Sequence, residues 1–172
     1  LEWIGEDRRV DLVDDGYDIA IRANPHPDTE LVGRCFARDE MLLVAAPALP
    51  LPDGQAQGQE LSVPAVAMVG LDDPTPWRIA VGGHGVTLVP DYRLRVSSLL
   101  MVRDAVLASA GVAQLPRSII RKALESGQLV VWGALPNRTV ELWALHSSRR
   151  LVSPKVAAFM EHLVAAFPDQ VL

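Results

Sequence analysis

The sequence predicts an α/β fold from three observations. A strand, a helix of two turns and a second strand follow one another within about twenty residues near the start. That spacing forms a tight βαβ unit, with parallel strands and a right-handed crossover. From Pro47 to Pro64 the composition shifts to Pro, Gly, Gln and Asp, which separates two sets of apolar segments. The tail then runs from a strand through a basic loop into a capped amphipathic helix.

Taken in order, Leu1-Glu-Trp-Ile4 opens as strand. Asp7 can cap a short helix over Arg8 to Asp15, with Val10 and Val13 on one face and Gly16 placed to end it. Tyr17-Asp-Ile-Ala-Ile21 is strand, Asn24-Pro-His-Pro-Asp-Thr is loop, and Leu31 to Ala46 carries strand-like stretches that end in the apolar run Met41-Leu-Leu-Val-Ala-Ala46. Beyond the Pro- and Gly-rich connection, Ala65-Val-Ala-Met-Val69 starts a second lobe. A hairpin of Trp77-Arg-Ile-Ala-Val81 and Val86-Thr-Leu-Val89 follows, turned by Gly82-Gly-His-Gly85. Tyr92, Leu94 and Val96 alternate with Arg93 and Arg95, the period of a half-buried strand, so this lobe holds a mixed sheet.

Ser98 can cap a helix whose Leu99, Val102, Val106 and Ala110 share a face, with Gly111 in a stopping position. Val112 to Leu115 is a short strand, Arg117 to Ser126 a helix ended by Gly127, and Leu129 to Trp132 a strand. Asn137 after Pro136 marks a turn into the strand Val140 to Leu145. Ser153 caps the last helix and Pro154 suits its first position. Val156, Phe159, Met160, Leu163, Val164 and Phe167 form its apolar stripe.

With 172 residues, 49% hydrophobic and 22% charged, the chain falls in the ordinary globular range. No apolar run approaches the roughly 20 residues that span a bilayer, and no basic-then-apolar leader opens the chain, so a cytoplasmic location is expected. Cys35 is the single cysteine, which removes any internal disulfide and suits a small buried hydrophobe. A formal charge of -5 argues against this segment binding nucleic acid by itself, because neutralising phosphates needs a concentrated Lys/Arg surface. The first residue is not Met and the chain opens within a strand, so it is expected to be a fragment of a longer polypeptide.

Residues that carry chemistry are sparse. His26, His84, His146 and His162 are far apart and none stands at metal-ligand spacing from another His or Cys, so no metal site is expected. Gly82-Gly-His-Gly85 lacks the following helix and the Lys-Ser/Thr of a phosphate cradle and suits a hairpin tip. No Gly-x-Ser-x-Gly elbow is present, and Asp11, Asp14, Asp15 and Asp18 suit a solvated face around a helix end. No catalytic residue and no cofactor is expected, and the chain is not expected to be an enzyme.

Arg22 ends an apolar strand, and ligands of open α/β sheets sit beyond the carboxyl ends of such strands. Its guanidinium can clamp a carboxylate bidentately or pair structurally with a nearby Asp. Ser97 and Ser98 stand where a strand gives way to a helix, so the free N–H groups there can serve a ligand anion or the cap alone.

Six segments in order resemble the effector-binding domain of LysR-type transcriptional regulators. They are Val10-Asp-Leu-Val-Asp-Asp-Gly-Tyr-Asp-Ile-Ala-Ile-Arg22, Pro27-Asp-Thr-Glu-Leu-Val-Gly-Arg34, Ala45-Ala-Pro47, Val106-Leu-Ala-Ser-Ala-Gly-Val-Ala-Gln-Leu-Pro116, Leu124-Glu-Ser-Gly-Gln-Leu129 and Ser147-Ser-Arg-Arg-Leu-Val-Ser-Pro-Lys-Val156. The likeness covers Trp3 to Phe167 and lacks the domain's first strand and helix and the DNA-binding region, which reads as truncation.

The resemblance implies a two-lobed, type 2 periplasmic-binding-protein-like fold with two Rossmann-like subdomains and two crossover segments, near Val44 and near Trp143. Residues 1–44 and 144–172 would form lobe I and 45–143 lobe II. Arg22, Arg34, Ser97, Ser98 and Gln114 would line a cleft for a small, anionic metabolite. DNA would be contacted only through an N-terminal helix-turn-helix that this chain lacks, and the full-length protein would be a homo-oligomer without membrane contact. A solute-binding protein of a transporter would share the fold and is the alternative expectation.

Overall fold

A computed structural model describes residues 2, 4–5, 12, 16–25, 31–52, 60–71, 75–81, 84–147 and 152–172, the side chains of 136 and 137 excepted. The expected opening strand and first helix fall largely outside these residues, as do 82–83 of the hairpin tip and 148–151 of the basic loop. The chain divides into two units: Leu1–Asp39 with Thr139–Leu172, and Glu40–Arg138.

In the first unit, β1 (Ala20–Ala23) pairs antiparallel with the later part of β7 (Val130–Ser147), placing Ala20 opposite Leu145 and Ala23 opposite Leu142. The strand starts later than the expected Tyr17 and takes in Arg22 and Ala23. The long strand β2 (Leu31–Ala45) lies on the other side of β7, so close at Gly33 that an added Cβ would run into the Ala144 carbonyl. Glycine is required there by space.

Helix α3 (Pro154–Ala166) begins where Ser153 accepts from the Val156 amide at 3.4 Å, with Pro154 in its first turn. Its Met160, Leu163 and Val164, with Phe167 beyond its end, pack on Phe36, Ala37 and Ala144. The Phe36 and Phe167 rings lie 5.5 Å apart. The segment after the helix runs beside β2: Arg38 donates its amide to the Gln170 carbonyl at 2.7 Å, and Leu172 donates to the Arg38 carbonyl at 3.0 Å.

The second unit is built on a sheet of β3 (Glu60–Met68), β5 (His84–Val96) and β4 (Trp77–Val81), with β5 in the middle. β3 and β5 are parallel, whereas β4 and β5 form the expected antiparallel hairpin, Val81 opposite His84. Trp77 and Ile79 are buried and Arg78 and Ala80 exposed, as the two-residue period of a strand requires. From the end of β5 the chain enters α1 (Leu99–Leu107), which buries Val102 and Val106, one turn apart on one face. It returns at Val112, parallel to Ala65 on the β3 side away from β5. β6 (Ala113–Pro116) then pairs antiparallel with Met41–Val44 of β2. α2 (Arg117–Glu125) follows and ends as expected at Gly127, whose φ of +71° suits a residue without Cβ.

Adjacent residues of β2 serve two cores of this unit. Leu43 and Ala45 join Val63, Ala65, Trp77, Ile79, Leu88 and Val112, while Leu42 and Val44 join Val66, Val102, Val106, Leu115 and Ile120. A strand buried on both faces reads as a continuous apolar run, which accounts for Met41 to Ala46.

Four expectations need correction: the connection was expected to reach Pro64 and the next strand to start at Ala65, but β3 starts at Glu60 and runs through Pro64. The strands expected at 86–89 and 92–96 are one strand that continues through Pro90. Pro90 lies opposite Val63 and past the end of the β4 ladder, which stops at Trp77 opposite Leu88, so a missing N–H on that side is tolerated. The turn expected at Asn137 is also absent, since β7 runs extended from Val130 to Ser147. Finally, Gly111 does not stop α1. The left-handed residue after that helix is Ser109, with φ +62°, whereas a Cβ at Gly111 would lie 2.8 Å from the Pro64 carbonyl oxygen. Gly111 is there because two backbones touch.

Candidate functional site

Three parallel runs of the second unit end at one rim. Val112 enters beside β3, exchanging hydrogen bonds with Pro64 and Val66 at 2.8 and 2.9 Å, and Gln114 follows two residues on. β3 ends at Met68 opposite Val96 of β5, and Val69 donates to the Val96 carbonyl at 2.9 Å. Beyond it the chain turns tightly, Leu71 donating back to Met68 around Gly70, whose φ is +82°. At the end of β5 come Ser97, Ser98 and the start of α1. In open α/β sheets the space outside the carboxyl ends of parallel strands, where connections leave in opposite directions, is where ligands bind. β5 leads into α1 and back to Val112 across β3, while β3 leads to β4 on the far side, so this rim has that arrangement.

The rim is polar at its backbone and apolar around it. Ser98 has extended backbone and its Oγ accepts from the Met101 amide at 3.2 Å, so the capping expectation holds. The first N–H groups of a helix have no acceptor within it, and the helix dipole favours negative charge beside them. The Ser97 hydroxyl lies 3.5 Å from Met101 Sδ. Val69, Leu71, Leu100 and Met101, all next to these turns, are 62%, 60%, 54% and 49% exposed. Such side chains suit the hydrocarbon part of a ligand whose polar group meets the amides.

Gln114 is half-buried between the fully enclosed Ala113 and Leu115 and stands opposite Leu43. Its Oε1 accepts from Arg138 Nη1 at 2.8 Å. Arg138 was not singled out from the sequence. It follows a dipeptide with turn chemistry, and its partner is 24 residues away, which no local pattern encodes.

The two arginines expected in the site both lie in the first unit. Arg22 is half-buried on β1 opposite Trp143. Just past it Asn24 has φ +43° and is held in place, its Oδ1 accepting from the Glu141 amide and its amide donating to the Glu141 carbonyl, both at 2.8 Å. The Glu141 carboxylate in turn accepts from Trp143 Nε1 at 3.0 Å and Arg38 Nε at 3.2 Å. Arg34 is exposed on β2, next to the tightly packed Gly33. Of the five residues, then, Ser97, Ser98 and Gln114 belong to the second unit, the two serines at the end of β5 and Gln114 on β6. Among the described residues no group of three or more His, Cys, Asp or Glu is placed to hold a metal, and no helix is long and apolar enough to cross a membrane.

Comparison with known proteins gives a consistent result. Residues 2–168 match the family described as the LysR substrate binding domain. An uncharacterised HTH-type transcriptional regulator of Escherichia coli K12, YhjC, is 28% identical over 177 residues, covering 98% of this chain and 58% of that protein. Thus the chain spans a little over half of that relative's length. The regulatory domain of CrgA, a LysR-type transcriptional regulator from Neisseria meningitidis, superimposes with a TM-score of 0.69 at 17% identity over 90% of this chain and 78% of that one. Full-length AphB, the Vibrio cholerae virulence activator, gives 0.64 at 20% identity over 96% and 57%. The fold is therefore the α/β, type 2 periplasmic-binding-protein-like fold of LysR regulatory domains.

Proposed function

The chain belongs to the LysR substrate-binding domain family, and we propose that it is the effector-sensing domain of a bacterial DNA-binding transcriptional regulator. The observation that supports this reading is Ser97 and Ser98 at the carboxyl end of β5, which is parallel to β3, and before the capped helix α1, in a chain of this family, with Gln114 two residues after the bridge to β3. A small carboxylate-bearing metabolite sets its charge against the amides at the start of α1 and its hydrocarbon against Val69, Leu71, Leu100 and Met101. In the first unit, Arg22 and Arg34 are proposed as ligand-binding residues. Binding favours one conformation over another and so repositions DNA-binding domains in an oligomer. The site binds and releases its ligand unchanged. The protein acts in the cytoplasm, and DNA is contacted through a helix-turn-helix outside this chain. That the matched relatives are named as transcriptional regulators supports this reading over a transporter's solute-binding protein.

Thermal denaturation in a panel of small carboxylates tests it. A ligand at a hundred times its dissociation constant adds about 2.7 kcal/mol. For a chain of this length that raises Tm by about 5–10 °C. A panel in which every carboxylate leaves Tm unchanged counts against the site. In the full-length regulator, Arg22→Ala is expected to weaken the effector response and leave DNA affinity largely intact, and matching dose-response curves for variant and parent would remove that role.

A further inference from the structure

We propose that Arg138 sets the ligand specificity of this rim by fixing which end of the Gln114 amide faces the ligand. The proposal rests on the binding role assigned above and adds what that role does not contain, a rule for what position 114 accepts. The two ends of a glutamine amide are nearly equal in size and opposite in hydrogen-bonding sense: the oxygen accepts and the nitrogen donates twice. A guanidinium only donates. The contact between Arg138 Nη1 and Gln114 Oε1 at 2.8 Å is therefore possible in one amide orientation alone, because the flipped amide would set donors against donors. Losing a hydrogen bond to a charged group disfavours the flip on the order of tenfold or more.

The rest of the side chain has little freedom. Its backbone is registered opposite Leu43, and its neighbours Ala113 and Leu115 are both 0% exposed. With Oε1 held by Arg138, Nε2 is the end left to a ligand. Position 114 therefore reads a hydrogen-bond acceptor, a carboxylate or carbonyl oxygen, and rejects a donor in the same place. Arg138 is a positioning residue here, acting through Gln114.

The test compares propionate, both of whose oxygens accept, with propionamide, which matches it in shape but is neutral and must turn its NH2 either toward Gln114 or toward the amides at the start of α1. Each is titrated into the 15N-labelled whole chain while the Gln114 side-chain amide and the Ser97 and Ser98 backbone amides are followed by NMR. The expected result is a shift of the Gln114 amide and a preference for propionate of about tenfold or more, the scale of the orientational bias. Arg138→Lys keeps a donor and is expected to retain the preference. Arg138→Leu frees the amide to flip, and Gln114→Leu removes it while leaving the Arg138 charge, and both are expected to lower the preference by about tenfold, to what the anion's charge contributes beside the amides of α1. Arg138 is exposed and Gln114 half-buried, and unchanged backbone spectra away from the two positions verify the fold of each variant.

An undiminished preference in Gln114→Leu overturns the proposal, because the discrimination would then not pass through Gln114. An undiminished preference in Arg138→Leu overturns it as well. Shifts at Ser97 and Ser98 without a response at Gln114 reject the proposal and leave the binding site standing. Silence at all three rejects carboxylate binding at this rim and the specificity rule with it.

Discussion

The two units bury their apolar residues differently. In the second, two clusters enclose residues such as Leu43, Leu88, Val106, Leu115 and Ile120, each 0% exposed, between a strand buried on both faces and the elements around it. Among the described residues of the first, the enclosed cluster is Phe36, Ala37 and Ala144, while Met160, Leu163, Val164 and Phe167 pack against it partly exposed. The stabilisation from burial scales with the apolar area removed from water. The difference therefore teaches that a side chain of the second unit's core carries more of the molecule's stability than its counterpart on α3. It also places the proposed rim on the more firmly packed unit, where small displacements of Ser98 and Gln114 are resisted.

Truncating one core residue in each unit is the most direct way to break this comparison. Leu115→Ala is expected to cost about 2–5 kcal/mol, as for buried leucines in general, and Leu163→Ala less, about 1–2 kcal/mol, because its side chain is already partly solvated. Equal shifts of the urea midpoint for the two variants would erase the contrast.

Glycines pressed against backbone remove it by design. Gly111→Ala in the second unit meets the Pro64 carbonyl and Gly33→Ala in the first meets that of Ala144, so each is expected to cost about 1–3 kcal/mol whatever the size of the nearby core. A variant in either position with unchanged denaturation would show that the two backbones can separate cheaply.

Caps come next. Ser98→Ala and Ser153→Ala each remove one side-chain acceptor from a helix start and are expected to lose about 1 kcal/mol. Amide exchange in the first turn of α1 and of α3 would locate the loss, and a loss confined to one of them would reopen the question of which unit depends on local signals.

The smallest effects belong to exposed ion pairs. The Arg117 and Glu40 side chains are 46% and 47% exposed at 2.7 Å, and those of Lys155 and Asp18 are 70% and 54% exposed at the same distance. Glu40→Gln and Asp18→Asn are both expected to change stability by less than about 1 kcal/mol. A larger loss for Glu40→Gln in a denaturant titration would extend the firm packing of the second unit to its surface.

Much of the helical structure was legible because its signals are local. Ser98, Ser153 with Pro154, and Gly127 mark helix ends through bonds that reach only three or four residues, and the stripe on α3 follows from its period. The β4–β5 hairpin was legible for the same reason. Strand continuity was not, because whether a proline interrupts a strand depends on which neighbour pairs at that level. Pro90 is accommodated past the end of β4, a fact of register that no window of sequence holds.

The proposed site divides in the same way. Ser97 and Ser98 could be found from a strand giving way to a capped helix, and Arg22 from the end of a strand. Gln114 and Arg34 came from family resemblance alone. Arg138 was missed, since its hydrogen bond to Gln114 joins two strands distant in sequence. Gly111 was noticed for the wrong reason, as a helix stop instead of a backbone contact.

The order in which the two units can be completed during synthesis follows from the way the chain is divided. Residues 40–138 are continuous, whereas the first unit takes residues from before and after them. Nascent domains tend to fold as units once they have emerged. The central stretch can therefore be complete while β1 and the start of β2 still wait, tethered and without α3 or the second half of β7. A protease or chaperone acting cotranslationally would meet this half-built molecule with Phe36 and Ala37 uncovered, and the window closes only when the last helix arrives.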